Sequence, residues 1–133
     1  MPNLVNKAML IDDSEIDLFI HRRFLELSNF SKELISYKSA ETALEWLKNL
    51  NGNEPPGVIF LDLNMPVLDG FSFLKQFTQL PEKILKHSRI VVVTSSNSVS
   101  DREHVFLYEN VIQMITKPIK QSDIEAIRTM VTD

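Results

Sequence analysis

The chain contains no cysteine, so it forms neither a disulfide nor a thiolate metal site, and a reducing compartment suits it. Glycine is scarce, with only Gly52, Gly57 and Gly70. A glycine-rich nucleotide loop, and with it a Rossmann or Walker-type phosphate site, therefore has no support. No apolar run approaches the length of a membrane span. The start, Met1-Pro2-Asn3-Leu4, lacks the charged and apolar regions of a secretory leader. A cytoplasmic location with no membrane partner is expected. The formal charge is −4 and no basic cluster offsets it, which argues against nucleic-acid binding. His21, His87 and His104 are scattered without metal-ligand spacing and are expected at the surface or half-buried.

What is present reads as one globular domain over residues 1–133, with 44% hydrophobic and 24% charged residues. Strand and helix signals alternate five times. Val5 to Ile11 reads as a strand, and Ser14 to Leu27 as a helix with Ile16, Ile20, Phe24 and Leu27 on one side. A short strand is expected over Leu34 to Tyr37. A second helix is expected from Ser39, with an Ala43, Leu44, Leu47, Leu50 stripe. Val58 to Leu61 forms a third strand. A third helix follows Asp69-Gly70, with Phe71, Leu74 and Phe77 inward and a kink or new turn at Pro81. Ile90 to Val93, β-branched throughout, is the strongest strand signal. A fourth helix is expected from Ser100, where Ser100 and Glu103 fit a capping box. Val111 to Thr116 is a fifth strand, and Ser122 with Glu125 offers another box before the Ile124, Ile127 and Met130 or Val131 face. Phe19, Phe24, Phe60, Phe71, Phe73 and Phe77 are expected in the core, with Trp46 half-buried. Alternating βα units of this number predict an open parallel sheet covered by helices on both faces.

Chemistry gathers at the strand ends. The first strand closes on Asp12-Asp13, the third on Asp62, the fourth on Thr94 and the fifth on Lys117. In a parallel sheet these ends share the carboxyl edge, where open α/β folds keep their ligand sites. Two carboxylates about 5 Å apart repel by roughly 3 kcal/mol at an effective dielectric near 20. A cation relieves that repulsion, and oxygen-only ligands favour a hard one such as Mg2+. Carboxylates, a hydroxyl and an ammonium together suit phosphoryl chemistry, with a carboxylate as nucleophile.

Asp12-Asp13, Asp62-Leu63-Asn64-Met65-Pro66 with Asp69-Gly70, Thr94-Ser95 and Lys117-Pro118, in this order and spacing, closely resemble the receiver domain of two-component response regulators, the CheY-like superfamily. The resemblance covers essentially the whole chain. It implies a flavodoxin-like (βα)5 fold, a doubly wound five-stranded sheet in the order 2-1-3-4-5. It also implies a stand-alone response regulator that assists its own phosphorylation and dephosphorylation but is not a turnover enzyme. Asp62 would accept a phosphoryl group from a histidine kinase or phosphotransfer protein. Asp13, Asp62 and the Asn64 main-chain carbonyl would hold Mg2+, with Asp12 helping through a bound water. Lys117 would pair with Asp62 and then with the phosphoryl oxygens, across a Lys117-Pro118 bond that is usually cis in the family. Thr94 would move toward the phosphate and carry the signal outward. Asn64 and Ser96 would tune the phosphate lifetime, leaving the site fairly open. Ser14, Ile16 and Asp17 are candidates for the face that meets the phosphodonor. Output would pass by protein–protein contact through the fourth helix, fifth strand and last helix.

Two positions depart from the family pattern. Met114 stands where an aromatic switch residue is usual, and a thioether offers neither ring nor hydroxyl. Asn110 replaces a common glycine and is expected to tolerate the left-handed geometry of a helix end. Two alternatives remain open: a metal-dependent aspartyl-phosphate phosphatase, as in haloacid-dehalogenase-like enzymes, and a binding-only pseudo-receiver. The first needs an acid two residues after the nucleophile, where Asn64 cannot serve. The intact acidic set and Lys117 argue against the second.

Overall fold

The computed structural model describes residues 5–131, so the Met1–Leu4 segment read for a leader lies outside it. Five parallel strands form one sheet: β1 (Val5–Ile11), β2 (Ser31–Tyr37), β3 (Val58–Leu61), β4 (Arg89–Thr94) and β5 (Val111–Thr116). Their spatial order is β2-β1-β3-β4-β5. Six helices are present among the described residues: α1 (Glu15–Leu27), α2 (Ala40–Lys48), α3 (Gly70–Phe77), α4 (Glu82–His87), α5 (Val99–Val105) and α6 (Gln121–Val131). The expected open, doubly wound sheet is what forms. Pro81 starts α4 as a separate short helix, which accounts for the sixth. None of the helices is long and apolar enough to cross a membrane.

The central strands read as unbroken apolar runs because both faces of the sheet are covered. Met9, Ile11, Ile59, Leu61, Ile90 and Val92 point into the core beneath α2, α3 and α5. Their neighbours Ala8, Leu10, Val58, Phe60, Val91 and Val93 point the other way, against α1 and α6. Alternation along each strand thus builds two cores with one sheet between them.

The first helix overturns its predicted face. Leu18, His21 and Leu25 are the buried residues of α1. Ile16 and Phe19 are each 72% exposed, and Ile20 and Leu27 are also exposed. Two stripes with the same helical spacing compete in this segment, and the one interrupted by a histidine is the one that packs. His21 is therefore buried rather than at the surface, and Phe19 is not a core residue. Two caps are also corrected. The N-cap of α5 is Ser98, whose hydroxyl accepts from the Asp101 N–H, so Ser100 lies inside the helix. At α6 the Asp123 carboxylate accepts from the Lys120 N–H, and Ser122 lies within the first turn. Val131, not Met130, completes the inward face. Asn110 is absent from the positive-φ residues. Its side-chain amide instead donates to the Leu85 and Ser88 carbonyls, both at 2.8 Å, tying the start of β5 to the end of α4.

Val67, between β3 and α3, has φ 66° and is 92% exposed. A β-branched residue is strained in that region and gains nothing from burial here. Val67→Gly should therefore raise the unfolding free energy by about 1 kcal/mol, the relief of left-handed strain less the added chain entropy of glycine. Urea denaturation of the two proteins checks this.

Candidate functional site

β1 and β3 lie side by side with Ile11 paired to Leu61, so Asp12 and Asp62 leave the sheet at the same level. Carboxylate oxygens of Asp12, Asp13 and Asp62 all lie within 4.8 Å of one another. Asp12 and Asp62 are buried and Asp13 is exposed. The Asp62 backbone is pressed by α3. A Cβ on Gly70 would sit 2.7 Å from both the Asp62 carbonyl oxygen and the Leu63 Cα, so only glycine allows this approach.

Burial pushes the Asp62 carboxyl up to about 6, and the Asp12 charge adds to the rise. Lys117 and the Asn64 N–H oppose it, the latter donating to Asp62 Oδ1 at 3.3 Å. The three oxygen donors are of the hard type, are close enough for one ion and carry repulsion only partly offset by Lys117; a divalent cation such as Mg2+ fits them.

Lys117 enters from the end of β5, across a cis Lys117-Pro118 bond. Its backbone N–H donates to the Thr94 carbonyl at 2.9 Å, locking the ends of β4 and β5 together. Its ammonium lies 2.7 Å from Asp17 Oδ2, 2.9 Å from Asp12 Oδ2 and 3.6 Å from Asp62 Oδ1. Burial works against this charge, but hydrogen bonds to Asp17 and Asp12 and the nearby Asp62 carboxylate hold the amine above its usual range.

Thr94 is fully buried, and its Oγ1 accepts from the Ser96 N–H at 3.1 Å and from the Asn64 side-chain amide at 3.5 Å. Asn64 and Ser96 therefore both attach to Thr94. The Ser96 hydroxyl donates to Asp101 Oδ2 at 2.7 Å, joining the end of β4 to the first turn of α5. Met114 is half-buried and packs against the same core cluster as Phe71 and Tyr108. Phe71 stacks on His104 with ring centroids 4.5 Å apart.

On α1, Ser14 is the N-cap and accepts from the Asp17 N–H. Asp12 Oδ1 accepts from the Ser14 N–H, so the two are joined before α1 begins. For two residues the sequence reading missed the role the structure gives them: Asp17, expected only on the donor face, and His21. Asp17 reads locally as an ordinary first-turn acid, yet it is the nearest partner of Lys117, 100 residues away. The Nε2 of His21 accepts from the Ile119 N–H at 3.3 Å, bracing the segment after the cis bond. An accepting nitrogen requires the neutral ring, and burial lowers the affinity of His21 for a proton in the same sense.

Residues 8–128 match the family model of the response regulator receiver domain. Response regulator Rcp1 of Synechocystis sp. is 33% identical over 70% of this chain and 64% of its own length. Hybrid signal transduction histidine kinase L of Dictyostelium discoideum is 26% identical over 93% of this chain but only 7% of its own. The chain thus spans less than two thirds of either relative. A response regulator receiver protein from Dyadobacter fermentans has a crystal structure that superposes with a TM-score of 0.82 at 28% identity, covering 93% of each chain.

The raised Asp62 carboxyl sets a pH dependence for the metal-free protein. Between its ordinary value of 3.8 and about 6, the folded state binds the proton that the unfolded state has lost. Stability contributed by this group is therefore present at low pH and is lost as pH rises through about 6. In EDTA at neutral pH, Asp62→Asn should melt on the order of 5 °C above wild type. That gap should close below pH ~4 and narrow on adding Mg2+. Thermal melts across pH, with and without the ion, measure both.

Proposed function

The chain belongs to the response regulator receiver domain family, and on that premise we propose that Asp62 is a phosphoacceptor in two-component signalling. Receiver domains of this family interact with histidine kinases or phosphotransfer proteins. The supporting observation is the convergence of three carboxylates and the Lys117 ammonium at one sheet edge. An Asp62 carboxylate oxygen attacks the phosphorus of a phosphohistidine. The P–N bond breaks, and its electron pair stays on the imidazole nitrogen. Asp13, Asp62 and the Asn64 main-chain carbonyl would hold Mg2+, with Asp12 helping through a bound water, and the ion would neutralise charge on the transferring group. Lys117 moves onto the phosphoryl oxygens. Thr94 turns its hydroxyl toward them, releasing Ser96 and, through Asp101, the start of α5. Met114, packed against the same core cluster as Phe71 and Tyr108, stands in the position of the usual aromatic switch. Asn64 and Ser96 set how readily water reaches the phosphate.

The exposed Ile16, Phe19 and Ile20 on α1, next to Asp13 and Ser14, suit docking of the donor's helical surface. This reading makes residues 1–133 a cytoplasmic receiver unit. Its output is protein–protein contact, and it lacks turnover activity on other substrates.

Acetyl phosphate with Mg2+ should label wild type to one phosphoryl group per chain and leave Asp62→Asn unlabelled. Lys117→Ala should label at least ~10-fold more slowly. Intact mass spectrometry reads all three. Label on Asp62→Asn, or sustained release of phosphate at enzymatic rates, would overturn the assignment, and an unlabelled wild type would favour a binding-only role.

A further inference from the structure

Asp17 lies outside the ion-binding carboxylates, yet it makes the shortest contact to Lys117. The distances are 2.7 Å to Asp17 and 3.6 Å to Asp62. Its side chain is 34% exposed, whereas that of Asp62 is 4% exposed. The ammonium is thus drawn away from the acceptor toward a half-open position at the mouth of the site. Its second partner, Asp12 at 2.9 Å, belongs to the carboxylate cluster that an ion would draw on. With that carboxylate engaged by a cation, Asp17 is left as the anion best placed to keep the amine.

Resting on the phosphoacceptor reading of Asp62, we propose that Asp17 is a positioning residue that parks the Lys117 ammonium away from Asp62 and so sets the rate of phosphoryl acceptance. The amine must give up Asp17 before it can neutralise charge developing on the phosphoryl oxygens. Removing the Asp17 carboxylate removes that step. It also lets the ammonium settle on Asp12 and Asp62, where it competes with Mg2+ for two of the three carboxylates. Opposite changes follow: faster transfer at saturating Mg2+, and weaker Mg2+ binding. A folding defect would lower both. The neighbouring His21–Ile119 hydrogen bond holds the backbone beyond Lys117 in place, so the change falls on the amine and not on the strand end.

Asp17→Asn keeps the side-chain size and the Ser14 cap, which uses the Asp17 backbone N–H. At saturating Mg2+, acetyl phosphate should label Asp62 of this variant about fivefold faster than wild type, the scale of a partly exposed ion pair. In that transfer the Asp62 oxygen forms the new P–O bond as acetate leaves with the old one's electron pair. Calorimetric titration with Mg2+ alone should show affinity falling by about threefold. Asp17→Glu should restore both values toward wild type. Glu15→Gln, which removes an exposed first-turn charge paired with Lys38, should change neither. Asp17→Ser carries the same expectation as the amide variant should that protein unfold. An unchanged labelling rate in a folded Asp17→Asn protein overturns the proposal, as does equal acceleration by Glu15→Gln or Asp17→Glu. An unlabelled wild type overturns the phosphoacceptor reading beneath it, a result distinct from either.

Discussion

The site is organised around the repulsion among Asp12, Asp13 and Asp62, whose oxygens crowd within 4.8 Å. At that separation each pair of full charges costs roughly 3 kcal/mol at an effective dielectric near 20. The protein offsets part of this with one ammonium, that of Lys117, shared with a fourth carboxylate on α1. Burial of the Asp62 carboxyl raises its proton affinity, and the repulsion from Asp12 that remains adds to the rise. An electron-rich oxygen that lacks a full counter-charge is suited to attacking phosphorus, and the same deficit favours a divalent cation. Nucleophile, ion site and pH dependence thus follow from charges placed together at a buried strand end.

That arrangement needs rigid supports. Parallel pairing aligns the ends of β1, β3, β4 and β5, and two apolar cores hold the sheet from either side. Gly70 lets α3 start against the Asp62 backbone, and the Lys117 N–H fastens the ends of β4 and β5. Other elements lead outward from this frame. Thr94 reaches α5 through the hydrogen bonds of Ser96, and α1 carries both the Asp17 contact and an apolar surface open to solvent. Charge at the sheet edge is in this way connected to two surfaces a partner could read.

Local patterns in the chain were informative where one geometry dominates. β-branched and apolar runs marked the strands, Ser14 and Ser39 marked helix starts, and Pro81 marked a break. They failed where two geometries fit equally. In α1, Ile16, Ile20 and Leu27 match helical spacing as well as Leu18, His21 and Leu25 do, and only the shape of the facing core selects between them. Ser98 and Ser100 both stand where a cap could form. The Asp101 N–H meets Ser98 because the chain leaves β4 with Ser96 already bound to Asp101. Asn110 replaces a glycine by bridging two carbonyls of a neighbouring turn, a role no local rule contains.

The amino-acid order alone determined which chemical groups stand at the strand ends, because periodicity and turn residues are properties of neighbouring positions. It also determined that those ends share one edge, since βα alternation compels parallel strands. Tertiary structure decided which carboxylate the lysine touches first, which face of α1 meets water, and that His21 is buried against Ile119. Those outcomes depend on how α1 packs against the end of a strand about a hundred residues later. Differences of tenths of an ångström in the distances between groups so far apart in the chain are set by packing and charge in three dimensions, which spacing along the sequence does not encode.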